Sequence, residues 1–357
     1  LSVRPRLNDF FGAVTRIPEA QLDFPLQQLG ALPLDYESQS TAGYLEKLWP
    51  VGNINESYAA FRADTRHELS VTRKIGFLNV VPRIAARGTW YSETRPPADG
   101  SSKGEAGMRT MLEAGTQVSF KTFKIYVDAE TNGGFRHVIE PYANYTFIPE
   151  PNIASAELYS FDAVDALGKQ NALRLGVRNK LQTKRDGRPF DLLDLDVWAD
   201  SNFSATGGVS ALEIINVNAR LKPWTKVSVD CDGKFSLSGG GLEEANVHMI
   251  LAASAAVSTD FEYRFRQDTS SLFAGKITYN PNEHWSYTYG ARYEIQDSRL
   301  EEHNLWVQRN YDCMFVALGF NQIPSYTLSD GSVHADEFQV MFKIWLKAFP
   351  NIGAAVN

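Results

Sequence analysis

The residues that most often do chemistry in proteins are scattered through this sequence and form no recognisable reactive group. Its six histidines show no pair at metal-ligand spacing; they are His67, His137, His248, His284, His303 and His334. The motifs HExxH and GxSxG do not occur, and the glycines at 239 to 241 precede no Lys-Ser or Lys-Thr pair of a phosphate loop. The sequence therefore predicts no catalytic residue, no cofactor and no metal, and the chain is not expected to be an enzyme.

Four aspartates are the strongest candidates for binding a cation: Asp191, Asp194, Asp196 and Asp200. Carboxylate oxygens are preferred ligands of calcium. Calcium loops, however, wrap their ligands around the ion, whereas alternation places Asp194, Asp196 and Asp200 along one wall of a strand. A hydrated wall is the favoured interpretation.

A wider set of charged residues occupies alternating positions of extended segments, and we predict that it faces water. The candidates are Glu140, Arg174, Arg178, Lys180, Asp194, Asp196, Arg264 and Arg266. The basic members could bind phosphate groups, or the surface of a plug protein, through charge-assisted hydrogen bonds. The alternative is that a wide barrel needs balanced charges on its inner wall, and for any single residue this second interpretation is preferred.

These charged residues require strands with one polar and one apolar face, and a strict alternation of polar and apolar residues produces such strands. In residues 173–182 the apolar side chains fall on one face and the charged ones on the other, and residues 139–147 alternate in the same way. Such runs are roughly twice the ~5–6 residues of a soluble strand. They are close to the ~9–11 residues that cross a bilayer as a tilted strand. The pattern favours a membrane-spanning sheet.

The connections between strands alternate in length. The run Phe77 to Trp90 follows a short turn and precedes the long hydrophilic stretch 91–107, while residues 185–188 mark another tight turn. Outer-membrane barrels have short periplasmic turns, long outer loops and aromatic girdles, and Trp90 and Tyr91 at the end of this run fit such a girdle. The expected fold is all-β, a transmembrane antiparallel up-and-down β-barrel or the C-terminal part of a larger one, with about 16 strands.

Composition agrees with a barrel that has a polar interior. The 357 residues include 21 Phe, 15 Tyr and 7 Trp, with 43% hydrophobic residues and a mean hydropathy of -0.28. The formal net charge of -7 gives no support for nucleic-acid binding, which needs a basic surface. The sequence contains no apolar run long enough for a spanning helix.

Several motifs in chain order resemble one family. Glu140, Pro141 and Tyr145 open a strand that leads through an acidic connection to Phe161-Asp162 and then to the strand starting at Asn171. The order of an RxND motif, a Pro-Glu strand at 18 and 19 and a YES motif at 36–38 continues the likeness. This arrangement resembles the C-terminal barrel of the LptD family of lipopolysaccharide-assembly proteins, once called organic solvent tolerance proteins.

The resemblance implies an integral protein of the outer membrane of a Gram-negative-type bacterium, the barrel portion of a translocon that inserts lipopolysaccharide into the outer leaflet. It also implies an LptE-like lipoprotein plug, a periplasmic LptA-like bridge acting through an N-terminal jellyroll domain, and the barrel-insertion machinery as partners. No nucleic-acid partner is expected. The chain resembles the family from the middle of its barrel onward, so we expect a fragment without the jellyroll and the first barrel strands.

The resemblance also assigns the ends of the chain. Residues 1–17 are expected to be a loop or strand connection, 18–349 the barrel and 350–357 a short tail. Lipopolysaccharide would leave sideways at a seam formed by the last strand, whose apolar row is Phe338, Val340, Phe342, Ile344 and Leu346. Cys313, after Tyr311-Asp, occupies a position similar to a family cysteine that forms a disulfide with the periplasmic domain. From the residues alone, Cys231 and Cys313 could pair together, stay free or pair with a partner.

Two other functions remain open from the sequence. A passive porin-type diffusion channel would show conductance as a purified monomer and would lack an upstream jellyroll. An outer-membrane barrel enzyme would need a Ser, His and acid cluster at its rim, and the sequence offers no such cluster. Barrel transport of lipopolysaccharide is the preferred hypothesis.

Overall fold

The structure, a computed structural model, describes residues 2–4, 6, 12–50, 55–96, 104–128, 133–203, 212–327, 333–348 and 353–356. Its strands are β1 (Ser2–Arg4), β2 (Ala13–Gln28), β3 (Asp35–Leu48), β4 (Tyr58–Ser70), β5 (Arg73–Ile75), β6 (Leu78–Tyr91), β7 (Gly107–Ser119), β8 (Thr122–Asp128), β9 (Gly133–Ile148), β10 (Gln170–Arg185), β11 (Arg188–Asn202), β12 (Ile214–Trp224), β13 (Val227–Ser236), β14 (Gly241–Ala252), β15 (Val257–Arg266), β16 (Ser270–Tyr279), β17 (Trp285–Glu294), β18 (Arg299–Asn310), β19 (Met314–Ile323), β20 (Tyr326–Thr327), β21 (Val333–His334), β22 (Glu337–Leu346) and β23 (Gly353–Val356). Helical structure is confined, within these ranges, to a 3₁₀ turn (Ser155–Glu157) and one short helix, α1 (Ala163–Ala166).

Strands that follow one another in the chain pair antiparallel, which confirms the predicted all-β, up-and-down architecture. Each strand from β11 to β18 pairs with its successor, and β19 then pairs with β22. Seventeen of the described strands have ten or more residues, close to the number expected from the sequence. None of the helices in the described part of the chain has the length and apolarity to cross a membrane.

The chain divides into two compact units. Unit 1 comprises residues 1–120, 141–175 and 200–211, and unit 2 comprises 121–140, 176–199 and 212–357. In unit 1, β2, β3, β4, β6, β7 and the end of β9 pair in that order, with the short β1 on β2 and β5 on β6. In unit 2, β8 pairs with the start of β9, and β11 to β19, β22 and β23 continue the meander, while β20 and β21 form a separate two-stranded sheet.

The strands of unit 1 have the two unlike faces that alternation predicts. One face exposes apolar side chains: Ile84 is 60% exposed and Leu112 64%. The other face buries polar and charged residues together with a small apolar core of Leu45, Ala60 and Phe161. We call these the apolar face and the polar face. In unit 2 the same names denote the face of the cross-strand partners Ile277, Tyr289 and Leu305 and the face opposite to it. An exposed apolar row opposite a buried polar one is the reverse of a soluble sandwich, whose apolar faces meet in a core.

Strands occupy part of both segments that flank the predicted barrel, the 1–17 loop or strand connection and the 350–357 tail. β2 begins at Ala13, directly after the turn-favouring Gly12, so the last five residues of the predicted 1–17 connection are strand. The predicted tail contains β23, which pairs with Phe342 to Trp345 of β22. Asn8, Asp9, Phe349 and Pro350 lie outside the described residues.

Close strand packing leaves no room for a side chain at Gly43 in unit 1. Gly43 of β3 lies opposite Glu19 of β2, and a Cβ atom there would be 2.8 Å from the backbone oxygen of Pro18. Because a backbone atom cannot swing aside, we expect Gly43→Ala to destabilise the protein by about 1–3 kcal/mol. Gly275→Ala is the matched control, since its Cβ would meet Phe261 at an ordinary 3.5 Å. Urea unfolding of both variants in detergent measures the difference; equal midpoints would contradict the prediction.

Candidate functional site

A connecting segment lies on the polar face of unit 1 and forms the most buried charged cluster of the described structure. This segment, residues 149–169, follows β9 and contains the 3₁₀ turn and α1. Asp162 caps α1 by accepting a hydrogen bond from the Val164 amide at 3.0 Å, and Asp165 accepts from the amides of Phe161 and Asp162 at 2.9 and 3.1 Å. This reciprocal capping box fixes both carboxylates in place.

Asp165 is the centre of the cluster, with a relative exposure of 1%. Arg62 of β4 donates to both of its carboxylate oxygens at 2.9 and 3.0 Å, and the Tyr91 hydroxyl of β6 donates at 2.8 Å. Arg62 also donates to Asp162, at 2.7 Å from its second terminal nitrogen. A buried carboxylate is stable only when charge and hydrogen bonds compensate its lost hydration, and here both are supplied.

Arg109 of β7 holds the other end of α1. Its guanidinium, 1% exposed, donates to the carbonyl oxygens of Val164 and Asp165 at 3.3 Å each, and it also bonds the carbonyl of Leu167. The last carbonyls of a helix have no partner within the helix, and a cation there also suits the helix dipole. Arg62 and Arg109 therefore clamp α1 from its two ends.

Aromatic contacts attach the segment at one end of the strands. The rings of Tyr58 and Tyr159 stack with centroids 4.6 Å apart, and Phe161 meets Tyr58 edge-on at 5.4 Å. The Tyr58 hydroxyl also donates to the carbonyl of Ser160 at 2.8 Å. Phe161 completes the apolar core with Leu45 and Ala60. Ionic and apolar contacts thus act together to dock one segment.

Acid is expected to loosen this docking. Burial disfavours the Asp162 carboxylate, but hydrogen bonds and charge from Arg62, the Val164 amide and Arg16 outweigh burial and hold the Asp162 pKa below its usual value. The stabilisation is present above the unfolded pKa of about 3.9 and is lost as pH falls through the lower folded value. Hydrogen exchange of residues 155–166 should therefore stay slow down to about pH 4 and accelerate below it. In Asp162→Asn the acceleration of hydrogen exchange on acidification should be smaller. If the acceleration is unchanged, another titrating group causes it.

A second charged network lies further along the same polar face. Arg66 donates to Glu113 at 3.1 Å and also pairs with Glu68, while Arg83 donates to Glu113 at 3.2 Å. Arg83 further donates to Asn144 at 2.9 Å. Four neighbouring strands are thereby linked by side chains across the polar face.

In unit 2, five of the eight predicted water-facing residues form one ladder across strands. Arg178 lies 3.8 Å from Glu140 and 3.6 Å from Asp196, and Lys180 lies 3.0 Å from Asp194. Lys180 is also 3.3 Å from Asp191. The ammonium group of Lys180 therefore lies between Asp191 and Asp194, two of the aspartates considered as calcium ligands. The described residues contain no group of three or more side chains that could hold a metal ion.

The other three predicted residues each have an acidic partner. Arg174 binds Asp200 at 2.7 and 2.9 Å in unit 1, while in unit 2 Arg264 pairs with Glu262 at 2.6 Å and Arg266 with Glu244 at 3.4 Å. Arg266 is 67% exposed in its side chain. Such exposed pairs contribute about 0–1 kcal/mol each and exchange partners at little cost. The geometry agrees with balanced charges on a wet wall and leaves the arginines able to bind phosphate.

The predicted seam strand and cysteines lie in unit 2. β22 pairs along its length with β19, and four residues of its other edge pair with β23. Its row Phe338, Val340, Phe342 and Leu346 is 41–65% exposed. Cys231 and Cys313 both carry free thiols, and Cys313 is exposed. The lateral exit and the disulfide remain predictions.

The sequence pattern did not single out Arg62, Arg109 or Asp165. It placed Tyr91 in an aromatic girdle, whereas Tyr91 is 0% exposed and its hydroxyl donates to Asp165. Alternation assigns Arg62 and Arg109 to the polar face but does not identify the segment around Asp165 that they bind. The one usable signal was the spacing Asp162-x-x-Asp165, which has the form of a capping box and marks a helix start.

Comparison with protein families gives one match, to the family described as LptD, LPS transport system D, over residues 12–332. A comparison with curated proteins gives no match.

The solved structures that match include two receptors and an iron transporter, all of low sequence identity. The siderophore receptor PirA from Acinetobacter baumannii has 7% identity and a TM-score of 0.47, with 94% of this chain and 65% of that chain covered. A mutant ferric enterobactin receptor PfeA from Pseudomonas aeruginosa has 6% identity and a TM-score of 0.47, with coverages of 96% and 64%. The FrpB iron transporter from Neisseria meningitidis has 8% identity and a TM-score of 0.44, with coverages of 95% and 70%. The chain thus spans slightly less than two thirds of the length of PirA and of PfeA.

Proposed function

The chain belongs to the LptD family of LPS transport proteins, and we propose from this premise that it is the barrel portion of a translocon that inserts lipopolysaccharide into the outer leaflet. Family membership makes it an outer-membrane β-barrel protein. The observation that supports the proposal most is the family match, which extends over 321 residues, from 12 to 332. Transport activity, substrate and partners are all part of this proposal.

The two faces of the strands suit the two halves of a lipopolysaccharide molecule. Sugars and phosphates need water and hydrogen bonds, which the charged polar face offers, while acyl chains need hydrocarbon, which surrounds the apolar face. The exposed ion pairs of unit 2, such as Arg264 with Glu262, can open to bind a phosphate and close again, because each contributes little by itself. A moving substrate requires such weak, replaceable contacts rather than one deep binding site.

Residues 149–169 have a different part in this proposal. They occupy the polar face of unit 1 through buried ion pairs that do not exchange easily, so we assign them a fixed position on that face, away from the moving substrate. The route for sugars would then follow the exposed polar face of unit 2. An LptE-like lipoprotein is proposed as the plug, and an LptA-like bridge as the supplier of substrate.

Photo-crosslinking tests the proposal in cells that depend on the full-length protein. A photoreactive amino acid at Arg264 or Arg178, on the polar face, should give lipopolysaccharide adducts during active transport, and the adducts should disappear when the bridge is depleted. The same photoreactive residue at Phe342 of β22 tests the lateral exit and should also give lipopolysaccharide adducts. Phe273, on the apolar face of β16, is its control and should give fewer adducts.

Absence of adducts at both polar-face positions, with normal folding, would exclude this route. Steady single-channel conductance of the purified protein with no substrate adduct would instead support a passive diffusion channel.

A further inference from the structure

The apolar face of unit 1 contains a groove of about 850 Å³ that the proposed transport route does not use. Its lining includes the small residues Ala86 and Ala114 and the larger residues Leu69, Ile84, Leu112 and Phe147. Ala86 lies opposite Leu112, and Ala114 lies between Ile84 and Phe147, so large and small residues alternate across the strands. This volume is within the ~300–1,000 Å³ typical of ligand sites, which are mostly apolar with a few polar groups.

The groove runs across the strands rather than along one of them. Tyr36, Leu69, Ile84, Ala114 and Phe147 are consecutive cross-strand partners on β3, β4, β6, β7 and β9. Four strand spacings of ~4.8 Å make this row about 19 Å long. One leaflet of hydrocarbon is ~15 Å thick, half of the ~30 Å core. The groove therefore has the length and the lining of a single extended acyl chain.

One end of the groove carries a chain of hydrogen bonds that is unusual on an apolar face. The Tyr36 hydroxyl bonds Nδ1 of His67 at 2.8 Å, Nε2 of His67 bonds the Thr65 hydroxyl at 3.0 Å, and Thr65 bonds the Ser40 hydroxyl at 2.8 Å. Tyr36 and His67 also stack, and both line the groove. Polar side chains that face lipid are costly unless they are satisfied. Here they form an ordered polar end to an apolar groove.

A cation lies at the same end of the strands. Arg73 of β5 is exposed and pairs in register with Val80 of β6, whose side chain shares the apolar face with Ile84. Tyr36, His67 and Arg73 all lie near the ends of strands that short turns connect: residues 29–34 join β2 to β3, and residues 71–72 join β4 to β5. In outer-membrane barrels the short turns are periplasmic, so this end meets the head groups of the inner leaflet.

We propose that this groove binds one acyl chain of an anionic glycerophospholipid from the periplasmic leaflet. The phosphate would lie at Arg73, the ester region at Tyr36 and His67, and the chain along Ala86 and Ala114. Charge complementarity at Arg73 and the position at the periplasmic end together identify a phospholipid as the occupant rather than lipopolysaccharide. The proposal depends on the membrane location of the family and not on the transport route, so either can fail without the other.

The test uses the full-length protein in nanodiscs of phosphatidylglycerol or of phosphatidylcholine, each with a trace of the same lipid carrying a photoreactive acyl chain. Mass spectrometry then compares adducts at residues 84–86 and 112–114 with adducts at residues 287–291, on the apolar face of β17. We expect groove adducts to exceed β17 adducts in phosphatidylglycerol. Arg73→Ala should lower the preference for phosphatidylglycerol over phosphatidylcholine by about fivefold, the contribution of one cation near an anionic lipid surface.

A second variant tests the proposal by filling the groove with a large side chain. Ala114→Phe should remove most groove adducts, whereas Ala291→Phe on β17 should leave them unchanged, and both proteins should still show the heat-modifiable gel shift of a folded barrel. Equal labelling of groove and β17 in the parent protein would overturn the proposal, since it indicates ordinary surrounding lipid. Displacement of the phospholipid adducts by added lipopolysaccharide would also overturn it, because the site would then belong to the transported substrate.

Discussion

Replacing Asp165 with alanine is expected to free the segment 149–169 from the polar face and to destabilise unit 1 by about 3–5 kcal/mol, the usual cost of leaving a buried charge without its partner. Arg62 and Arg109 would stay buried, at 4% and 1% exposure, after losing the carboxylate that compensates Arg62 and anchors α1. Hydrogen exchange of residues 155–166 and protease cleavage near residue 160, both in the full-length protein, measure the release.

The size of this effect can be separated from general damage to the fold. Asp191→Ala removes an acid that is 49% exposed on the wall of unit 2, and we expect it to change stability by less than about 1 kcal/mol. The double variant Arg62→Ala with Asp165→Ala should be less destabilised than the sum of the single variants, because it leaves no unpaired charge between the two. Parent-like exchange in Asp165→Ala would show that the aromatic contacts of Tyr58 and Tyr159 suffice for docking.

The second large effect concerns the two faces of the strands. Leu305 of β18 points to the apolar face and is 42% exposed, while the adjacent Asn304 lies on the opposite face. Leu305→Arg should reduce the stability of the membrane-inserted protein by about 2–4 kcal/mol, the cost of an arginine facing the middle of a bilayer from a barrel strand. Asn304→Arg, one residue away, should cost much less because its face meets water.

Urea unfolding in phospholipid vesicles measures both variants, and the assembled fraction in outer membranes gives a second reading. Equal losses for the two variants would mean that the strands meet the same environment on both sides. A larger loss at Asn304 would mean that the polar face is dry. Either result would remove the physical basis of the proposed transport route.

Alternation was enough to predict strands, faces and turns, because each depends on residues close together in the chain. The run from Phe77 to Trp90 became β6, and the tight turn at 185–188 has Asp186 and Gly187 at φ of 52° and 73°, as a two-residue hairpin requires. The pairing of Arg178 with Glu140 and Asp196 also follows from faces and neighbouring strands. For these features the local sequence holds the necessary information.

The docked segment could not be predicted in the same way. Asp165 meets Arg62 across 103 positions of the chain and Tyr91 across 74, and period-two alternation contains no information on such partners. In the sequence, Asp165 resembles an ordinary acid at the start of a short surface helix. The groove was missed for a related reason, since Ala86 and Ala114 acquire meaning only when the register places them beside Leu112 and Phe147.

The separation in sequence between Asp165 and its partners has a consequence for the order of assembly. Hairpins such as β3 with β4 close a short loop and can form early, whereas contacts between distant residues wait for the chain between them to be organised. Residues 149–169 can find Arg62, Tyr91 and Arg109 only after β4, β6 and β7 are side by side. Docking of this segment would then be a late step in folding, which occurs only when the neighbouring strands have paired correctly. In a barrel with mispaired strands, residues 149–169 would stay undocked and accessible to proteases.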